Sequence, residues 1–154
     1  MVCLDHKTEP GYLDPAGLGR TEAVDLLSLD GEHRPIPFSG VKSVHFVREF
    51  DQPFVPARKY FLSRPRQEGL WVQLRFVDGD QMEGLVPNNL LGLLENGIQI
   101  TPPESNGNNL RLFIPRTALT DFVVLGVVGA AQRARHAAGL ASTTQGDLFG
   151  PRSG

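Results

Sequence analysis

The stretch Phe113-Ile114-Pro115-Arg116-Thr117-Ala118-Leu119-Thr120-Asp121-Phe122-Val123-Val124-Leu125 decides the fold, because a related stretch occurs earlier in the chain. That stretch is Pro35-Ile36-Pro37-Phe38-Ser39-Gly40-Val41-Lys42-Ser43-Val44-His45-Phe46-Val47. Further upstream, Gly11 aligns with Gly84. The other matched positions are Ile36-Pro37 with Ile114-Pro115, and Val41, Val44 and Phe46 with Leu119, Phe122 and Val124. An internal repeat indicates tandem copies of one structural unit, so the sequence predicts two small β modules.

Apolar residues alternate with period two in the second copy, which is typical of strands with one buried face. The turn Asp78-Gly79-Asp80 suits a hairpin, because glycine tolerates positive φ. Gly84 in the returning strand indicates a sharp bend or bulge. The predicted strands of the second copy cover residues 70–76, 81–86, 97–101, 110–114 and 119–128. Those of the first copy cover residues 2–5, 8–13, 23–29, 33–36 and 41–48.

The chain of 154 residues contains 17 Gly and 12 Pro, a composition that favours turns over long helices. We therefore predict an all-β fold in four segments. Residues 1–50 form the first β module, and residues 69–128 form the second. Residues 51–68 form a basic linker that contains prolines. Residues 129–154 form a short helix, over 130–138, followed by a flexible tail rich in Gly, Ser and Thr.

Five short, bent antiparallel strands, with a minimal link between the last two, resemble the Sm-like small barrel. The Asp-Gly hairpin, the bend glycine and the link Phe113-Ile114-Pro115-Arg116-Thr117-Ala118-Leu119 also resemble uncharacterised bacterial Sm-like domains. The resemblance implies two tandem five-stranded barrels and opens a role in binding single-stranded RNA. The RNA-binding signatures of Sm proteins are not matched, because residues 90–97 replace the family's Asp-x-Phe/Met-Asn stretch and Ile-Pro pairs replace its Arg-Gly pair.

Charge and cysteine content indicate a cytoplasmic protein that is not built to coat nucleic acid. The net charge is −2, and residues 1–56 carry five basic and nine acidic side chains. The single Cys3 excludes an intramolecular disulfide, which fits a reducing compartment. No stretch is apolar for long enough to span a bilayer, so we expect no membrane contact.

The sequence contains no set of residues that would carry catalysis, hold a metal or bind a cofactor. His6 and His33 fall in or beside turns, and His45 is expected on the outer face of a strand. No histidine pair has metal-ligand spacing, and no nucleophile elbow or phosphate-binding glycine loop occurs. Glu9 and Glu83 precede the bend glycines and are expected at solvated edges. We therefore expect a protein that is not an enzyme.

The linker is the best nucleic-acid candidate, because cations neutralise phosphates and interleaved rings stack on unpaired bases. The alternative is a hydrated linker whose Tyr60 and Phe61 dock on a module. The candidate residues for nucleic-acid binding are Arg58, Lys59, Tyr60, Arg64 and Arg66.

The tail contains Gln145-Gly146-Asp147-Leu148-Phe149, which resembles the pentapeptide by which bacterial polymerases and repair proteins bind the replication sliding clamp. The resemblance implies that Gln145, Asp147, Leu148 and Phe149 bind the partner: Gln145 hydrogen-bonds at the edge of the pocket, and Leu148 and Phe149 fill its apolar interior. The alternative is that the two apolar residues fold back onto the modules as a terminal clip.

Two functions follow as expectations. The first is a non-catalytic adaptor whose barrels bind a protein or nucleic-acid partner while the tail tethers it to the sliding clamp. The second is an Sm-like module that binds single-stranded RNA. Unpaired strand edges also predict that the two modules pack on each other or that copies of the chain assemble.

Overall fold

The computed structural model describes residues 1–89, 91, 96–104 and 107–129. In this part of the chain the regular structure is β-strand with short 3-10 turns and no α-helix, which confirms the predicted all-β class. The strands are β1 (Val2–Cys3), β2 (Gly11–Tyr12), β3 (Ala23–Ser28), β4 (His33–Pro37), β5 (Val41–Val47), β6 (Gly69–Phe76), β7 (Gln81–Val86), β8 (Gly97–Ile100), β9 (Asn109–Pro115) and β10 (Leu119–Val128). The 3-10 turns cover Pro15–Gly17, Phe38–Gly40 and Arg116–Ala118.

Local sequence explains most of these boundaries. The bounds of β7 and β10 are those predicted, and most of the others lie within one residue of the prediction. The opening hairpin of the chain is the exception, because β1 and β2 are only two residues long each. Pro10 lies between the bridge at Thr8 and β2, and a proline cannot donate a ladder hydrogen bond.

The described strands form three antiparallel sheets rather than two closed barrels. Their orders are β1-β5-β9-β8, β10-β6-β7 and β2-β3-β4. Single bridges join the sheets, between Val2 and Thr8 and between Leu85 and Thr101. The ten strands therefore follow one continuous order, β4-β3-β2-β1-β5-β9-β8-β7-β6-β10, in which β4 and β10 are the edges.

The pairing register repeats between the two halves of the chain. Cys3 pairs with Val41 as Phe76 pairs with Leu119. In the same way, Ala23↔Pro37 matches Gly97↔Pro115, and Tyr12↔Leu27 matches Leu85↔Thr101. Strands β1–β5 and β6–β10 thus have the same internal order, which is the structural counterpart of the sequence repeat.

The bend glycines are required by close packing between strands. A Cβ atom at Gly84 would lie 2.9 Å from Ile100 Cδ1, and one at Gly11 would lie 2.6 Å from the backbone oxygen of Leu27. Contacts this short do not occur for real side chains. A larger residue at Gly11 would push β2 from the backbone of β3, and one at Gly84 would have to displace the side chain of Ile100 in β8. The repeat of glycine at these two positions therefore has one physical cause in both halves.

The halves share a seam in which β5 pairs with β9. Each half has its own buried cluster, but Phe113 from β9 belongs to the cluster of the first half. It packs there beside Phe38, with ring centroids 5.5 Å apart. The other buried members of that cluster are Met1, Leu18, Val24, Leu26, Val41 and Val44. The second half therefore contributes a core residue to the first half, in addition to the backbone hydrogen bonds of the seam.

Candidate functional site

The basic linker lies along the second half of the molecule. Lys59 Nζ is 2.5 Å from Asp80 Oδ1, and Lys42 Nζ is 3.0 Å from Asp80 Oδ2. Burial raises the pKa of Asp80, but the hydrogen bonds from Lys59 and Lys42 outweigh it, so the pKa lies below its usual value. The ionised carboxylate offsets the charge of Lys59, which weakens that lysine as a phosphate ligand.

The other nucleic-acid candidates lie at the surface. Arg64 places Nη2 3.3 Å from the backbone oxygen of Val127, near the end of β10. Arg58, Tyr60 and Arg66 are exposed. Lys59 and Arg64 are thus engaged by acceptors of the protein, while the remaining three candidates are open to solvent.

Glu83 holds the linker against β6 and β7. Its Oε2 accepts a hydrogen bond from Trp71 Nε1 at 3.1 Å and another from the backbone N–H of Phe61 at 3.2 Å. The rings of Phe61 and Trp71 meet edge to face, with centroids 6.3 Å apart. The expectation that Glu83 is a solvated edge residue was wrong, because the linker folds back over β7 and supplies a partner from outside the strand.

An apolar groove of about 480 Å³ lies where the first half meets the start of the linker. Phe50 and Phe54 line it, and Val55 and Leu29 expose 64% and 60% of their surface there. At its border, Tyr12 stacks on Phe50 with ring centroids 5.3 Å apart and an interplanar angle of 22°. Large apolar side chains concentrated in a concave surface are typical of a binding site.

The floor of the groove contains His45, which the sequence had placed on an outer strand face. That expectation was wrong, because Phe54 from the linker covers the imidazole ring edge-on, with the two ring centroids 5.1 Å apart. Burial lowers the pKa of His45 to about 4, and the hydrogen bond with Asn109 opposes this shift. The imidazole is therefore neutral near pH 7.

Ser43, His45 and Asn109 form a hydrogen-bonded relay that sequence reasoning missed. The Oγ of Ser43 lies 2.9 Å from His45 Nε2, and His45 Nδ1 lies 3.0 Å from Asn109 Oδ1. The amide nitrogen of Asn109 donates to the backbone oxygen of Val55. Asn109 Oδ1 is therefore an acceptor for Nδ1–H, and Nε2 accepts from the hydroxyl. The Ser-x-His spacing on one strand face was the available sequence signal.

The order hydroxyl, imidazole, amide is also found in acyl-transfer enzymes. Here Ser43 is only 5% exposed, so a substrate carbonyl has little access to its oxygen. A general base also works best with a pKa near the operating pH, whereas the pKa of His45 is about 4. We interpret the relay as a structural link that satisfies buried polar groups beneath the groove.

The predicted clamp-binding residues Gln145, Asp147, Leu148 and Phe149 lie outside the described residues, as does the helix predicted over 130–138. Among the residues that are described, no group of three or more His, Cys, Asp or Glu side chains is arranged to hold a metal ion. In the same part of the chain, no helix has the length and apolar character needed to cross a membrane.

Residues 2–126 match the model of a family described as a family of unknown function, DUF6982. No curated protein matches the chain, and no solved structure does.

Proposed function

Since this chain belongs to the DUF6982 family of unknown function, we propose its function from its own geometry: it is a non-catalytic adaptor that binds a protein partner in the apolar groove. The tail tethers the assembly to the replication sliding clamp. The observation that carries the proposal is the clustering of Tyr12, Phe50, Phe54 and Val55 at the surface, where large apolar side chains are otherwise costly.

The charge around the groove favours a protein over a nucleic acid. Glu49 and Asp51 line the groove beside the aromatic residues, and both are exposed. Carboxylates repel phosphates and attract Lys and Arg side chains, and rim charges of this kind chiefly speed and select encounters. The partner that fits is a segment with an aromatic or aliphatic anchor flanked by basic residues.

Two features support Sm-like modules as the scaffold of this adaptor. Each half has five strands paired in the same order, and a three-residue 3-10 turn joins the last two strands in both, at Phe38–Gly40 and Arg116–Ala118. An experimental structure in which each half closes on itself would support the barrel assignment. Open sheets in both halves would contradict it.

The groove is tested by selecting displayed peptides against the full-length chain and measuring their affinity for variants. We expect the selected peptides to combine an aromatic or aliphatic anchor with Lys or Arg. Phe50→Ala should weaken their binding by about tenfold or more, since truncating a central aromatic anchor costs about 2 kcal/mol or more and about 1.4 kcal/mol is already tenfold. Leu62→Ala is the matched control, because Leu62 is an exposed apolar residue of the linker outside the groove lining. Equal binding to wild type and Phe50→Ala would overturn the groove assignment.

The tail is tested separately with a purified bacterial sliding clamp, which is the probe that the Gln145–Phe149 resemblance names. We expect binding that the Leu148→Ala/Phe149→Ala double variant loses and the Thr143→Ala/Thr144→Ala control keeps. Binding should be lost in the double variant because Leu148 and Phe149 are the apolar anchor, and such side chains supply most of the contact in short motifs. Absence of binding by the wild-type chain would remove the tether and leave the groove proposal standing.

A second candidate function is single-stranded RNA binding, which the exposure of Arg58, Tyr60 and Arg66 favours. It predicts that a labelled single-stranded oligoribonucleotide binds with strong salt dependence. The Arg64→Gln/Arg66→Gln double variant should reduce both the affinity and the salt slope. An affinity unchanged by this variant would exclude Arg64 and Arg66 as RNA ligands.

A further inference from the structure

Strand β10 is a long sheet edge with an apolar surface. Val123, Val124, Leu125 and Val127 expose between 40% and 49% of their surface. The strand pairs with β6 on one side, and among the described strands it has no neighbour on the other. An exposed, apolar edge of this length is a template for pairing with another strand.

The register shows which backbone groups point away from the sheet. Phe76 donates its backbone N–H to the backbone oxygen of Asp80, in the turn before β7, at 2.8 Å. Successive residues of a strand direct their N–H and C=O groups to opposite sides, so the adjacent Arg75 directs its groups toward β10. Arg75 pairs with Asp121. Phe122 therefore directs its N–H and C=O to the open side, and Val124, two residues on, does the same.

The opposite edge, β4, is blocked. Phe38 donates its N–H to the backbone oxygen of Glu22 in the direction of β3, so Pro37 and Pro35 face the open side by the same alternation. A proline has no N–H to donate, and prolines on an edge are a common protection against pairing. In the second half, Phe113 takes the place of Pro35 and pairs with β5.

This difference decides how copies of the chain can join. In the repeat, β10 is the counterpart of β5 and β4 is the counterpart of β9. Repeating the β5–β9 pairing between molecules would therefore place β10 of one copy beside β4 of the next. Pro35 removes a hydrogen bond from that contact, and Arg34 replaces the buried Leu112 of β9. The head-to-tail route is therefore unfavourable.

We infer that β10 pairs antiparallel with β10 of a second copy, which forms a two-fold dimer that extends the ladder across the interface. With Val123 on the two-fold axis, Phe122 of each copy lies opposite Val124 of the other, so their outward groups hydrogen-bond. Asp121 is the only charged residue of β10. This register places it opposite Leu125 of the other molecule, so the two Asp121 carboxylates do not face each other. Two copies of this apolar, nearly uncharged strand therefore complement each other, whereas a charged strand would leave its charges opposite apolar residues of β10.

The inference goes beyond the proposed function and does not depend on it. A dimer would carry two grooves and two tails, so a partner with two matching sites would bind with a higher effective concentration at the second site.

The test is sedimentation equilibrium of the full-length chain with charges placed at the axis. We expect a dimer for wild type, monomers for Val123→Glu and for Val123→Lys alone, and a dimer again when the two variants are mixed, because opposite charges then face each other. Leu62→Glu and Leu62→Lys are the controls and should remain dimeric. Circular dichroism checks that each variant is folded, and recovery of the dimer on mixing shows it independently.

Hydrogen exchange gives a second readout, in which the amides of Phe122 and Val124 are protected in the dimer and lose protection on dilution. A monomeric wild-type chain overturns the inference, including the case in which these amides stay protected because residues 130–154 occupy the edge. Dimers that survive both single charges, or a failure of the mixture to recover, also overturn it. Assemblies larger than a dimer that are altered by Pro35→Ala would place the contact at β4 instead.

Discussion

At the residue scale, the behaviour of His45 is set by what covers it. The ring lies between two hydrogen-bond partners, Ser43 and Asn109, and beneath Phe54. A charged imidazole here would lose hydration and would have to give up the acceptor role of Nε2. The folded state therefore keeps the imidazole neutral, and protonation of His45 at low pH destabilises the fold.

We expect the free energy of unfolding to fall as the pH drops from about 6.5 toward 4. The unfolded chain protonates His45 near its ordinary pKa of 6.5, whereas burial lowers the pKa in the fold to about 4. The unfolded state thus binds more protons in this window, which removes up to about 3 kcal/mol of stability as the pH falls. Stability is fully present above the unfolded pKa.

Urea denaturation of wild type and His45→Gln across this pH range measures the effect. His45→Gln should lose this pH dependence, while the control His33→Gln, at an exposed histidine, should keep it. The same pH dependence in wild type and His45→Gln would mean that the histidine titrates normally in the fold.

The repeat also identifies a strained residue. His6 has φ of 67°, in the left-handed region that disfavours most side chains, and the equivalent position in the second half is Gly79 with φ of 86°. The hydrogen bonds of the two turns match, since Cys3 N–H donates to Lys7 O at 2.8 Å and Phe76 N–H donates to Asp80 O at the same distance.

His6→Gly should raise the free energy of unfolding by a few tenths to about 1 kcal/mol. Relief of left-handed strain of about 1–2 kcal/mol is partly offset by the greater freedom of glycine in the unfolded chain. Gly79→Ala, measured in the same urea titrations, should destabilise the protein for the reverse reason. Destabilisation by His6→Gly would show that the His6 side chain makes contacts worth more than the strain.

At the element scale, the linker behaves as part of the second half. Ala57 is buried in the cluster of that half, and Glu83 joins Phe61 to Trp71. A segment with three prolines and six charged residues is usually extended and solvated, and these contacts oppose that tendency here.

Glu83→Ala should release the linker and lower stability by about 1–3 kcal/mol, because it leaves two donors without their acceptor. Limited trypsin digestion should then cut faster at Arg58 and Lys59, and mass spectrometry of the fragments locates the cuts. Glu22→Ala, at an exposed glutamate, is the control. Unchanged digestion of Glu83→Ala would mean that the linker is held by the packing of Phe61 and Ala57 and by the backbone hydrogen bond from Glu83 N–H to Lys59 O, without the carboxylate.

At the scale of the whole molecule, the β5–β9 seam couples the two halves. Lys42 on β5 reaches the β6–β7 turn, with Nζ 2.6 Å from Asp78 Oδ2. Thr117 donates its hydroxyl to the backbone oxygen of Phe38 at 3.2 Å. Together with Phe113 in the first cluster, these contacts tie the two halves together and leave the core of the first half incomplete without the second.

We expect Phe113→Ala to lower the free energy of unfolding by about 3–5 kcal/mol, the usual range for removing a buried Phe. Trp71 is the only tryptophan and lies in the second half, so its fluorescence reports that half, while circular dichroism reports both. The two signals should shift together in urea, because the halves unfold as one unit. Leu110→Ala, at an exposed position of the same strand, is the control. A Trp71 transition that stays in place while circular dichroism splits would show that the halves unfold separately.

The sequence by itself determined the strands and their repetition. Period-two burial and turn glycines depend on residues that are neighbours in the chain, which is why the bounds of Gln81–Val86 and Leu119–Val128 were predictable. The bend glycines Gly11 and Gly84 were predictable for the same reason, because the repeat placed both at one point of the unit.

Only the tertiary structure decided which strands meet and what they cover. Nothing local marks Phe113 as a core residue of the other half, or marks Phe54 as the cover of His45, because both depend on pairing between segments far apart in the chain. The same holds for the contrast between the open edge β10 and the proline-blocked edge β4. An edge exists only once all other strands have found partners, and that outcome depends on the packing of the whole molecule rather than on any one stretch of sequence.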